Sequence, residues 1–135
     1  MVPKMEKNEE KKMLDVSTPE KLANAIVKIL DDKLAGDIRL LHVTEKTIIA
    51  DYFVICTGTS STQIRALSGE IEYLLGEAGM KPGHVEGYPE GNWICMDYHS
   101  VIVHIFSEEN RATYRLEKLW EDAEEVDIKD SLTER

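Results

Sequence analysis

The sequence predicts a single α/β domain with a mixed β-sheet packed by helices, and three observations carry that expectation. At 135 residues the chain is long enough for one domain and short for two. Its apolar residues alternate between helical and strand spacing in the order αββαβββα. A strand–helix–strand passage in the middle asks for a crossover connection, which makes neighbouring strands parallel in an otherwise antiparallel meander.

The elements follow in order. Ser17, Thr18, Pro19 and Glu20 form a helix start: either hydroxyl can cap, Pro19 suits the first turn, and Ser17 with Glu20 fits a capping box. Leu22, Ala23, Ile26, Ile29, Leu30 and Leu34 then recur at helical spacing, and Gly36 is the expected stop. Residues 38–43 and 52–57 are rich in β-branched and aromatic residues and predict strands. Ser60 or Ser61 opens a second helix with the stripe Ile64, Leu67, Ile71, Leu74 and Leu75, closed by Gly76 and Gly79. Residues 85–88 predict a short strand, 88–91 (YPEG) a turn, and 92–97 and 100–106 two more strands. Asn110 is the expected cap of a last helix that buries Leu116, Leu119 and Trp120.

Composition narrows the function. Hydrophobic residues make up 42% and charged residues 31%, as in ordinary globular domains. Sixteen Lys and Arg against 26 Asp and Glu leave a net charge of −10, so no general attraction to a phosphate backbone or an anionic membrane is expected. No apolar run approaches the roughly 18 residues of a membrane span. The N-terminus lacks an apolar stretch and holds Glu6, Glu9 and Glu10, which argues against a secretory or organellar leader. Cys56 and Cys95 sit in apolar runs and read as free thiols in a reducing, cytoplasmic setting. Residues 1–16 form a charged N-terminal tail with balanced signs. Residues 121–135 form an acidic tail, with seven acids against Lys129 and Arg135. Both ends are expected to fray, leaving residues 17–120 as the folded body.

Sites of chemistry are sparse. Gly58, Thr59, Ser60 and Ser61 place backbone N–H groups and hydroxyls at a helix start, a generic anion site. There is no Gly-Lys-Ser/Thr and no G-x-G-x-x-G, so a tight turn and a helix cap are the favoured reading. His42, His84, His99 and His104 show no metal-ligand spacing, and no metal or cofactor is expected. Asp97 stands without the companion carboxylates that two-metal transfer chemistry requires.

The strands around residues 98 and 99 are the most informative segment. With Tyr98 and His99 as the tip, Met96 faces Val101, Cys95 faces Ile102, Ile94 faces Val103 and Trp93 faces His104. One face is then Ile94, Met96, Val101, Val103 and Ile105, wholly apolar and meant for helices. The other holds Trp93, Cys95, Asp97, Ile102, His104 and Phe106. It is either a partly covered outer face or a docking surface anchored by Trp93. On the last helix Arg111 and Arg115 share a face beside Tyr114, either as a solvated surface or as part of the same docking site.

The strings ADYFVICTGTSS (50–61), EG (86–87), GNWICMD (91–97), VIVHIF (101–106) and RATYRLEKLW (111–120) resemble the ribosome silencing factor family, also called RsfS or Iojap-like proteins. The likeness runs in order from about Leu22 to Trp120, and the charged ends fall outside it. It implies a nucleotidyltransferase-like fold without the catalytic acids, hence no enzyme. It also implies binding to the large ribosomal subunit through ribosomal protein L-fourteen, steric blockage of subunit joining, and repression of translation when nutrients are scarce. A homodimer is implied for the free protein. Under this reading Trp93, Asp97, His104, Arg111 and Tyr114 are the expected partner contacts. The competing readings are a nucleotidyl or phosphoryl transferase using the Gly58 loop, and a homodimeric adaptor with no ribosomal role.

Overall fold

The computed structural model describes residues 14–133. The first thirteen residues of the expected N-terminal tail lie outside that range.

The chain runs α1 (Pro19–Asp32), β1 (Gly36–His42), β2 (Tyr52–Gly58), α2 (Ser61–Glu77), β3 (His84–Glu86), β4 (Trp93–Asp97) and β5 (Val101–Ser107). It continues through α3 (Glu108–Tyr114), α4 (Leu116–Leu119), β6 (Glu124–Val126) and a 3-10 turn, Lys129–Ser131. One mixed sheet holds the strands in the order β3-β4-β5-β2-β1-β6. The β2–β5 pair is parallel and the other pairs are antiparallel, as the crossover required. All of β2 is buried, as a central strand covered on both faces must be.

Local chemistry starts and stops the long helices. Thr18 caps α1 by accepting from the Lys21 N–H at 3.1 Å, while Ser17 turns back to Asp15 instead of forming the expected capping box. Ser60 caps α2 from the Gln63 N–H at 3.0 Å. Gly79, at φ 84, ends α2, with Met80 N–H reaching Leu75 O at 2.8 Å. Gly76 lies inside that helix. Gly36 is not the stop of α1. Leu34 takes the left-handed conformation (φ 67), Ala35 N–H closes on Leu30 O at 2.9 Å, and Gly36 begins β1. Leu34 therefore leaves the helix stripe and is exposed.

Two cores result. Leu22, Ile26 and Leu30 of α1, with Ile64, Ile71 and Leu75 of α2, cover the sheet face made by Leu40, Val54, Ile94, Met96, Val103 and Ile105. The opposite face carries a smaller cluster of Leu41, Val43, Phe53, Ile55, Ile102 and Phe106, on which Leu116 and Trp120 pack. The face occupied by Trp93, Cys95, Ile102, His104 and Phe106 is therefore a second core with an exposed margin rather than an open outer surface.

The hairpin register differs from expectation. Trp93 faces Phe106, Ile94 faces Ile105, Cys95 faces His104 and Met96 faces Val103. Tyr98 N–H bonds to Val101 O at 2.9 Å, so the tip is His99–Ser100, with His99 at φ 72. Moving the tip by one residue moves each partner by two, which keeps every side chain on its expected face. Burial of Tyr98 drives the shift: the ring joins the main core at 2% exposure.

The C-terminal segment does not fray over its first part. β6 pairs with β1, Leu41 opposite Glu125, and Arg39 makes a two-pronged contact with the Glu125 carboxylate at 2.9 and 2.6 Å. That hydrogen bond from Arg39 holds the Glu125 carboxyl below the usual range. The folded body thus extends past residue 120.

Candidate docking site and family

An aromatic path crosses the second face of the sheet. Tyr114 lies against Trp93 with ring centroids 4.7 Å apart, and Trp93 lies against Phe106 at 4.8 Å. Phe106 and His104 are near parallel at 6.0 Å, His104 meets Phe53 edge-on at 5.4 Å, and Phe53 meets Trp120 edge-on at 5.1 Å. At the margin Tyr114 is 56% exposed and Trp93 is half-buried. The strand pairing that puts Trp93 opposite Phe106 builds the inner part of this path, and α3 brings Tyr114 over it.

The expected contacts separate into three groups. Trp93, His104 and Tyr114 come together, with His104 beneath the surface at 8% exposure. The Trp93 Nε1–H donates to His104 Nδ1 at 3.2 Å. Burial pushes the His104 imidazole down to about 4, so it is neutral near pH 7. Asp97 is at the far end of β4, roughly 13 Å along the strand from Trp93 at the usual rise. There its carboxylate accepts the His99 N–H at 2.7 Å.

Arg111 turns inward instead of sharing an outer face with Arg115. Its guanidinium donates to Asp37 O and Thr57 Oγ1, both at 2.7 Å, and to Glu117 Oε2 at 2.5 Å. Burial pulls the Glu117 carboxyl upward, but the hydrogen bond from Arg111, a backbone hydrogen bond and the positive charges of Arg111 and Arg39 together outweigh it, leaving that group below the usual range. Arg115 sits at φ 51 and breaks the expected last helix into α3 and α4. Ser107, not Asn110, caps α3 by accepting the Asn110 N–H at 3.1 Å. The break turns Leu119 outward, while Leu116 and Trp120 still pack on the sheet.

The Gly58 loop is occupied by its own helix. Thr59 N–H and Oγ1–H both donate to Gln63 Oε1, at 2.6 and 2.9 Å. A Cβ on Gly58 would stand 2.6 Å from Ile64 Cγ1, so glycine is needed for the close approach of β2 to α2. Among the described residues no group of three or more His, Cys, Asp or Glu is placed to hold a metal ion. Cys56 and Cys95 are free, and burial pushes their thiols up to about 12 and about 11, which makes both poor nucleophiles. Among the same residues no helix is long and apolar enough to cross a membrane.

Sequence reasoning missed the Arg111–Glu117 pair, whose six-residue separation fits no helical contact and forms only through the break at Arg115. It also missed the Phe53–Trp120 contact, which joins residues far apart in the chain.

Comparison with known proteins places this geometry. The model of the family described as ribosomal silencing factor during starvation matches residues 16–135. The chain belongs to the ribosomal silencing factor family. It is 41% identical over 98 residues to the ribosomal silencing factor RsfS of Bacillus subtilis, covering 73% of this chain and 83% of that one. It is 32% identical over 98 residues to a mouse protein named mitochondrial assembly of ribosomal large subunit protein 1, covering 70% of this chain and 43% of the mouse protein. A crystal structure of a Bacillus halodurans protein superposes with a TM-score of 0.72 at 33% identity, over 80% of this chain and 98% of the other. The family match extends through the acidic C-terminal segment, which was expected to lie outside it.

Proposed function

We propose that this protein docks through its Trp93–Tyr114 margin on ribosomal protein L-fourteen of the large subunit and bars the small subunit from joining. It does so in the cytoplasm, without chemistry and without a cofactor, and it lowers translation when nutrients are limiting. The free protein is a homodimer. The observation that carries the reading is the exposed edge of the aromatic path: Tyr114 stands largely in solvent against the half-buried Trp93, in a member of a ribosomal silencing family. Aromatic residues of this kind anchor protein interfaces. The net charge of −10 suits a basic protein partner and would speed encounter with it. Arg111 supports the site from within instead of touching the partner, and Asp97 makes a peripheral contact at most.

The test is co-sedimentation with purified large subunits, followed by a subunit-joining assay. Wild-type protein is expected to pellet with large subunits and to suppress joining. Trp93→Ala is expected to weaken pelleting by more than about 1 kcal/mol while remaining folded. Undiminished joining at saturating protein would refute the proposal.

A further inference from the structure

We infer that His104 is a positioning residue of the docking surface, holding the Trp93 ring in place by accepting its indole N–H. The inference rests on the docking reading above and adds the device that shapes the surface. His104 cannot swing freely. Phe53 meets its ring edge-on at 5.4 Å with planes 81° apart, and Phe106 lies nearly parallel at 6.0 Å and 13°. The backbone of β5 that carries it is paired on both sides, with Ile55 on β2 and Cys95 on β4. The residue as a whole is 8% exposed, so its acceptor nitrogen is a fixed point.

Trp93 Nε1–H points at that nitrogen from 3.2 Å. A neutral imidazole offers one acceptor, so accepting at Nδ1 places its proton on Nε2. A ring protonated at both nitrogens would set N–H against N–H. With the indole tied at Nε1 and flanked by Phe106 at 4.8 Å, Trp93 presents its remaining surface to Tyr114 at 4.7 Å. The exposed pair is thereby ordered before any partner arrives. Without the acceptor, that ordering has to occur on binding, which weakens affinity by about fivefold at the usual cost of immobilising one side chain.

Three measurements on the full chain decide the matter. Long-range proton–nitrogen NMR at pH 7 is expected to show His104 with a bare Nδ1 and a protonated Nε2; a proton on Nδ1 overturns the inference in the wild-type protein itself. His104→Leu removes the acceptor, and His104→Asn keeps an amide oxygen near the place of Nδ1. The Trp93 indole N–H resonance, identified by its loss in Trp93→Phe, is expected to move upfield in the leucine variant and to stay in place in the asparagine variant. Affinity for purified large subunits is expected to fall about fivefold with leucine and to be retained with asparagine. Equal affinities for all three folded proteins overturn the positioning role. Wild-type protein that fails to pellet sinks the docking reading, while the tautomer and indole measurements still decide whether His104 holds Trp93.

Discussion

Acidification is the perturbation that isolates the buried histidine. His104 has an ordinary pKa of 6.5, and burial lowers it to about 4 in the folded protein. Between those values the unfolded chain takes up a proton that the folded chain refuses, so the unfolded state gains. The contribution of His104 is therefore complete above pH 6.5 and is lost as pH falls toward 4. Below that the folded state is protonated too and the loss stops growing. At about 1.4 kcal/mol per pH unit, the whole window amounts to about 3 kcal/mol. That is a large share of the roughly 5–15 kcal/mol by which domains are stable. Glu117 and Glu125, both held below the usual carboxylate range, also contribute acid lability, but only as pH falls through their own lower range. The assay is urea unfolding at pH 7, 6, 5 and 4.5, for wild type and for His104→Asn, which keeps a hydrogen-bond acceptor and does not titrate. Every other titrating group cancels in the difference between the two proteins. Wild type is expected to lose about 2 kcal/mol more than the variant between pH 6.5 and 4.5. Parallel pH curves would refute the claim that the imidazole is buried and neutral.

Four further outcomes follow from the packing. Arg111→Met strips Glu117, Thr57 and the Asp37 carbonyl of their shared donor and is expected to cost about 3–5 kcal/mol in urea unfolding. Arg111→Lys should recover only part of this, because one ammonium cannot reproduce the planar fork. Gly87→Ala should destabilise by more than about 2 kcal/mol, since Gly87 sits at φ 88 and an added Cβ would lie 1.9 Å from the Trp93 carbonyl oxygen; a thermal midpoint equal to wild type would contradict that geometry. Ile48→Ser, at a side chain 102% exposed, should leave stability within about 0.5 kcal/mol of wild type by the same measurement.

The sequence alone determined much of what depends on neighbours along the chain. It narrowed each of the first two helix starts to a pair of hydroxyl residues, of which Thr18 and Ser60 cap through atoms three residues away. The two faces of the β4–β5 hairpin followed from strict alternation, and they survive a register error of two because the period of a strand is two. The family was legible in short strings, which the later comparison bears out. What only the tertiary structure decided depends on contacts between distant segments. Tyr98 fits the main core, and that moves the tip to His99–Ser100. Glu124 and Glu125 look like part of a solvated tail until Arg39, 86 residues before Glu125, gives them an edge to pair with. Arg111 looks like a surface charge until the break at Arg115 brings Glu117 against it. In each case the physical reason is the same: a charged or aromatic side chain is assigned its side by the partner that desolvates or neutralises it, and that partner is supplied by the fold.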